Sequence, residues 1–265
     1  MGLEILECSE VWKEVDNSDD FDFSHTKVIL RDGFEFFYAR VDQRKTPSFQ
    51  ASVDPSALEL HPIPTETIWP KSPENALRCP NSASDSAEIY VKRPSLLAYG
   101  DSFVSTEIKT LVLHEVQICE TLAQFQHPNI AKYLGCQVEN DLITGLCFEK
   151  YGDSLFQMMQ DGRSDSFDKG ACLQDIRNGI QHLHSLEIVH GDVNPHNILS
   201  QGDNFVIIDF DSCAKVGEDL GLKLGTDGWM QDSTTAEYSN DWYGFSKIEE
   251  FLHDQESFDT SSCTA

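Results

Sequence analysis

Positive charge is scarce in this sequence: 19 Lys and Arg stand against 45 Asp and Glu in 265 residues, a formal charge of -26. A chain so acidic gains nothing from counterion release on a phosphate backbone, which removes nucleic acid and anionic membranes from the expected partners. CxxC pairs are missing as well. The eight cysteines (Cys8, Cys79, Cys119, Cys136, Cys147, Cys172, Cys213, Cys263) are scattered, and the chain is far longer than a disulfide-stapled miniprotein. Reduced, mostly buried thiols are therefore expected. No apolar run approaches the roughly 18 residues of a membrane span. The start, MGLEILECSEVWKEVD, has acids where a signal peptide needs a basic region, and Leu6 where myristoylation prefers Ser or Thr. These absences predict a soluble intracellular protein, cytoplasmic or nuclear. With 40% hydrophobic residues, the chain can bury one substantial core or two small lobes sharing a cleft.

Residues 1–25 are rich in Asp and Glu and read as a solvated acidic arm. Asp16, Ser18 and Asp20 resemble the start of a calcium loop, but Phe21 stands where that turn needs glycine. Two β-rich runs around Asp32-Gly33, in KVILRDGFEFFYARV, predict a hairpin. Residues 43–87 hold most of the prolines and only short apolar runs, as in an irregular wrap or linker. Then come a strand (EIYVKRP), a helix (TLVLHEVQICETLAQF), two strands (NIAKYLGCQV, LITGLCFEKY) and a second helix (DKGACLQDIRNGIQHLHSL). Cys172, Ile176, Ile180 and Leu183 recur at helical spacing in that second helix and predict a buried face. A hairpin-like ILSQGDNFVIIDFDSC, a polar loop and an amphipathic DWYGFSKIEEFL follow.

The chemistry is concentrated in His190-Gly191-Asp192-Val193-Asn194-Pro195-His196-Asn197 and in Val206-Ile207-Ile208-Asp209-Phe210-Asp211. An acid and an amide five positions apart on a loop, followed by an aspartate at the end of an apolar strand, supply a base and two hard oxygen ligands for Mg²⁺. These segments resemble the catalytic loop and DFG motif of the protein kinase superfamily. The resemblance implies an α+β, bilobal fold, with a small β-rich N-lobe and a mainly helical, shortened C-lobe. It covers residues 87–251, leaving 1–86 as an acidic region with a hairpin and a Pro/Ser-rich segment, and 252–265 as a flexible tail.

Carried over residue by residue, the resemblance makes Asp192 the catalytic base, with Asn194 beside it at the place of a catalytic lysine. Asn197 and Asp209 become the Mg²⁺ ligands. Lys92, in Ile89-Tyr90-Val91-Lys92, looks like the strand lysine that holds the ATP phosphates; Glu115 is its expected partner, with Glu120 as rival. Phe148 falls at the gatekeeper position, and the backbone of Glu149 and Tyr151 is set to meet adenine. His127-Pro128-Asn129-Ile130, Gly225-Thr226-Asp227-Gly228-Trp229 and Asp241-Trp242-Tyr243-Gly244-Phe245 also resemble kinase segments, Asp241 being the aspartate that braces the catalytic loop.

The departures bear on activity. No glycine lies between Gly33 and Gly100, so the Gly-rich phosphate lid before Lys92 is missing, which predicts weaker ATP binding or a cover from another segment. Gly191 replaces an arginine that would read a phosphorylated loop. Asn194 removes a positive charge from the transition state. Asp211 replaces the DFG glycine and adds a third carboxylate, either a Mg²⁺ ligand or facing solvent. Met230-Gln231-Asp232-Ser233 stands where Ala-Pro-Glu is expected. Ser212 and Thr226 are candidate modification sites with no special support.

The first functional reading is an ATP- and Mg²⁺-dependent phosphotransferase, a divergent protein kinase with a Ser/Thr hydroxyl of a protein as candidate acceptor. A pseudokinase that binds nucleotide or acts as a scaffold is the alternative. A small-molecule kinase of the aminoglycoside or choline type is a third, since that class shares the HGDxxxxN loop.

Overall fold

The structure is a computed structural model describing residues 2–14, 20–79, 87–97, 99–100, 108–220 and 225–254. The chain forms two compact units, Met1–Lys71 with Arg93–Thr110, and Ser72–Lys92 with Leu111–Ala265. Asp16, Ser18, Cys263 and the tail from residue 255 lie outside the described residues.

The first unit is a four-stranded antiparallel sheet in sequential order: β1 (Glu4–Glu14), β2 (Phe21–Asp32), β3 (Glu35–Val41) and, after the short helix α1 (Phe49–Ser52), β4 (His61–Ile63). A further short helix, α2 (Thr65–Ile68), follows. β2 is the reason the sheet forms: His25 to Leu30 are all buried, as expected of a strand paired on both sides. Val28, Leu30, Ala39 and Phe49 make the core, and Leu3, Ile5 and Cys8 pack onto it.

The solvated arm expected over residues 1–25 is therefore corrected over its described part. Glu4 to Glu14 form a strand because apolar side chains among the acids reach this core. Some of the acids are paired, Glu4 with Arg31 at 2.8 Å and Glu10 with Arg44 at 2.9 Å. The hairpin is also displaced by one residue from Asp32-Gly33. Asp32 pairs with Glu35, so Gly33 and Phe34 make the turn, and Gly33 takes the left-handed φ of 61°.

The second unit begins with a sheet of order β5-β7-β6, built from β5 (Ile89–Lys92), β6 (Tyr133–Glu139) and β7 (Leu142–Glu149). Helix α3 (Ile108–Gln124) lies between β5 and β6 in sequence. Residues expected to be linker extend this sheet: Cys79 donates its N-H to the Cys136 carbonyl at 2.9 Å, and Cys136 donates to Leu77 at 2.7 Å. Gly135 permits that approach. Its φ is 117°, and a Cβ there would stand 2.7 Å from the Leu77 oxygen.

Among its described residues the remainder carries three α-helices and two small strand pairs, β9 with β10 and β8 with β11: α4 (Leu155–Gln160), α5 (Lys169–Ser185), β8 (Ile188–Val189), β9 (Ile198–Gln201), β10 (Asn204–Ile207), β11 (Ala214–Lys215) and α6 (Tyr238–Asp254). Asp168 caps α5 by accepting from Ala171 N at 2.9 Å. The face with Cys172, Ile176, Ile180 and Leu183 is no more than 1% exposed, each aliphatic side chain contributing about 1.5–3 kcal/mol by burial. Leu252, expected to open a flexible tail, is fully buried, and α6 continues to Asp254. Among the described residues no helix is long and apolar enough to cross a membrane.

Gly135→Ala should lower the unfolding free energy by about 1–3 kcal/mol. Amide exchange at Cys79 and Cys136 should rise selectively in the same variant. Unchanged protection there would show that the close strand approach does not need the glycine.

Candidate functional site

The segment after α3 locates the site. His127 to Ala131 turn back onto β10: Asn129 donates its side-chain N-H to the Phe205 carbonyl at 2.9 Å, and Ala131 N donates to Ile207 at 2.9 Å. This pins the strand whose continuation is Ile208-Asp209-Phe210-Asp211. Phe210 is fully buried, with its ring centroid 5.9 Å from that of His190 and 6.4 Å from that of Phe148. With Phe210 anchored inward, the carboxylates of Asp209 and Asp211 on either side of it both reach one ammonium, that of Lys92.

Lys92, the last residue of β5, donates to three carboxylates: Glu115 at 2.7 Å, Asp211 at 3.0 Å, and Asp209 in a third hydrogen bond. Burial opposes charge on this amine, but Glu115, Asp209 and Asp211 outweigh it and hold Lys92 well above the ordinary lysine range. At Glu115 burial outweighs the lysine's pull, and with the charges of Asp211 and Asp209 the carboxyl is pushed up to about 7. Glu120, the rival partner, instead accepts from Leu77 N at 2.8 Å. His114, one residue before Glu115, donates Nε2 to the Cys213 carbonyl at 2.6 Å and ties α3 to the segment after Asp211.

The loop bearing Asp192 is held from beneath. Asp241, fully buried in α6, accepts from Gly191 N at 2.9 Å, His190 N at 2.9 Å and His184 Nε2 at 2.8 Å. His190 donates Nε2 to the Ile208 carbonyl at 3.0 Å and accepts from Asp192 N at Nδ1, the roles of a neutral imidazole. Gly191 is required here for space. Its φ is 77°, and a Cβ would lie 2.8 Å from the Ser212 oxygen, so the arginine of the resembling motif has no room without a shift.

The Asp192 carboxylate itself receives Asn194 Nδ2 at 2.8 Å, Asn197 Nδ2 at 3.0 Å, Thr226 N at 2.7 Å and Thr226 Oγ1 at 3.2 Å. Asn194 thus bridges Asp192 and Thr226, and it caps its own turn by accepting from His196 N at 2.9 Å. Because Asn197 commits its amide nitrogen to Asp192, its Oδ1 is the atom left to offer a cation.

A cavity of about 340 Å³ is lined by Ala131, Phe148, Leu199 and Ile208 together with Lys92 and Asp209. Glu149, Tyr151 and Gly152 also contribute. The Glu149 N-H donates to the Lys132 carbonyl at 3.0 Å, and the Tyr151 hydroxyl accepts from Lys132 N at 2.9 Å. The structure thus gathers Lys92, Glu115 and Asp209 in one cluster, Asp192, Asn194 and Asn197 in a second, and Glu149 and Tyr151 at the cavity wall.

Three participants escaped the sequence reading in their actual roles. Thr226 holds Asp192; the GTDGW segment was the available signal. His184 braces Asp241 and carries no motif. Asp211 faces Lys92, a contact that linear spacing cannot reveal.

A family model described as Protein kinase domain matches residues 101–243. Curated relatives include the serine/threonine-protein kinase/endoribonuclease IRE1 of Hypocrea jecorina, 29% identical over 164 residues, 55% of this chain and 12% of that protein. IRE2 of Homo sapiens is 33% identical over 134 residues, 45% of this chain and 14% of that protein. The MAP kinase kinase kinase SSK2 of Saccharomyces cerevisiae is 31% identical over 130 residues, 48% of this chain and 8% of that protein. The chain thus matches only a small part of the length of each of these relatives. Among solved structures, a chain of the yeast RNA Pol II CTD kinase CTDK-1 complex gives a TM-score of 0.49 at 20% identity, covering 63% of this chain and 54% of that one.

The match over more than half of the chain places this protein in the protein kinase family. It has that family's α+β, bilobal fold, with a small β-rich lobe and a mainly helical one.

Asp241→Ala should lower the unfolding free energy by about 2–4 kcal/mol, because it strands the buried His190 N-H, the part-buried Gly191 N-H and a histidine donor. Urea denaturation of the variant checks this; a loss below about 0.5 kcal/mol would mean the loop does not rest on Asp241.

Proposed function

We propose that this chain is an ATP- and Mg²⁺-dependent phosphotransferase of the protein kinase type, transferring the γ-phosphate to a Ser or Thr hydroxyl of a protein. Residues 87–251 carry the activity. The observation that bears most weight is the convergence of Lys92 and Asp209 on the wall of an apolar cavity of about 340 Å³, with Glu115 accepting a further hydrogen bond from Lys92. Adenine fits the apolar lining, and the Lys92 ammonium is the group suited to the α- and β-phosphates.

The donor set fits a hard divalent cation: the Asp209 carboxylate and the Asn197 Oδ1 are oxygen ligands, and Asn197 is oriented by its bonds to Asp192. When bound, Mg²⁺ would neutralise charge on the phosphates. Asp192 then orients the acceptor hydroxyl and takes its proton, while Asn194 and Thr226 keep the carboxylate in place. The seven cysteines among the described residues stand as thiols rather than disulfides, which supports a reducing, intracellular setting, cytoplasmic or nuclear.

The pseudokinase reading has its own observation. Every donor of Lys92 and both oxygens of Asp192 are already engaged, so the resting site offers neither group to a ligand without rearrangement.

Calorimetric titration with ATP, with and without Mg²⁺, separates the readings. Mg²⁺-dependent binding is expected, and Asp209→Ala should abolish it while the fold survives; unchanged Mg·ATP affinity in that variant would falsify the metal role. Asp192→Asn should keep nucleotide affinity within about twofold and reduce turnover by roughly 10²- to 10⁴-fold. Peptides beside small hydroxyl compounds as acceptors distinguish a protein kinase from a small-molecule kinase, and binding without turnover on any acceptor favours the pseudokinase.

A further inference from the structure

We propose that Asp211 is a positioning residue that competes with nucleotide phosphate for the Lys92 ammonium and so sets the affinity of the site. The proposal rests on the reading of the cavity as a nucleotide site. Its basis is donor arithmetic. A lysine ammonium has three N-H groups, and Lys92 gives one each to Glu115, Asp209 and Asp211. Phosphate oxygens can therefore be met only when one carboxylate lets go.

The three partners are not equivalent. Glu115 is 4% exposed, so releasing it would leave a buried carboxylate without its cation. Asp209 reaches the same amine from the next turn of chain and is the carboxylate a cation would draw on. Asp211 is the more dispensable one: it stands where the resembling motif has glycine, which carries no acceptor at all. Its side chain is 16% exposed and that of Asp209 25%, so water can reach either once released, and it is the position rather than the exposure that singles out Asp211. Neither alternative left open by the sequence, ligand or solvent-facing, describes this contact.

Phe210 keeps the competitor within reach. Because this ring is fully buried, residues 209 and 211 cannot slide relative to β5 without uncovering it. Each nucleotide binding event must then break the Lys92 to Asp211 ion pair, which lowers affinity without touching the adenine wall.

The test is calorimetric titration of the full chain with Mg·ATP and Mg·ADP, for wild type, Asp211→Asn, Asp211→Gly and Asp211→Glu. Removing the charge should tighten both nucleotides about tenfold, whereas Asp211→Glu should stay within about twofold of wild type. Thermal unfolding of each variant identifies a misfolded one, and Asn and Gly provide two independent removals. Raising the salt should shrink the difference between wild type and Asp211→Asn, since the ion pair is partly exposed. A merely structural role would not produce tightening rescued by Glu.

Nucleotide affinity equal to or weaker than that of wild type in both Asp211→Asn and Asp211→Gly overturns the competition, the weaker case pointing to a ligand role. Nucleotide binding by no form of the chain overturns this proposal and the nucleotide-site reading together.

Discussion

An ammonium withdrawn from water is tolerated only where opposite charges gather round it, and that requirement at Lys92 organises the second unit. The three carboxylates come from α3 and from the two positions flanking Phe210, so the helix, the edge strand β5 and the end of the β10 segment must converge on one point. If α3 moved away, Glu115 would be left buried against its own desolvation and Lys92 would lose its most buried partner. The bond from His114 to the Cys213 carbonyl makes the same demand one residue earlier on α3. Two ties of different chemistry thus hold the helix in one position.

The second organising group is Asp241, which gathers three hydrogen bonds. A carboxylate buried in a helix can be satisfied only by aimed donors, and here they are two consecutive backbone N-H groups of the loop bearing Asp192 and a histidine. The loop is thereby fixed in main chain, and Asp192 can be held in side chain by Asn194, Asn197 and Thr226. Farther along, backbone bonds such as Ala236 N to Glu218 O at 2.8 Å and Leu220 N to Thr234 O at 2.7 Å join residues 218–220 to residues 234–236. Gly191 suits this arrangement because it lets the Ser212 carbonyl approach closely.

The first unit shows how composition misleads. Its opening residues are acidic enough to look like a solvated arm, yet burial is decided side chain by side chain. Leu3, Ile5 and Cys8 supply a face for β1, and β2 offers a strand buried on both faces for it to pair with. The acids then remain at the rim, some of them beside arginines. Lys27 goes further: 1% exposed, it donates to the Tyr99 carbonyl and lies over the Tyr38 ring at 5.1 Å. No local pattern marks that lysine as one that will be buried.

By itself the sequence determined whatever depends on near neighbours along the chain. The buried face of α5 follows from helical spacing, the β2–β3 hairpin from turn chemistry to within a residue, and the proximity of Asp192, Asn194 and Asn197 from their shared loop. Motif order along the chain also points to the kinase family. Tertiary structure alone decided which carboxylate Lys92 selects, where Asp211 turns, that Thr226 and His184 belong to the site, and that Leu77 to Cys79 extend a sheet. These contacts join residues that are 23 to 119 positions apart around Lys92, and their geometry is set by how the buried Phe210 and the β5, β7 and β6 strands pack. Charge pairing and packing across such separations are properties of the folded whole, and no window of sequence contains them.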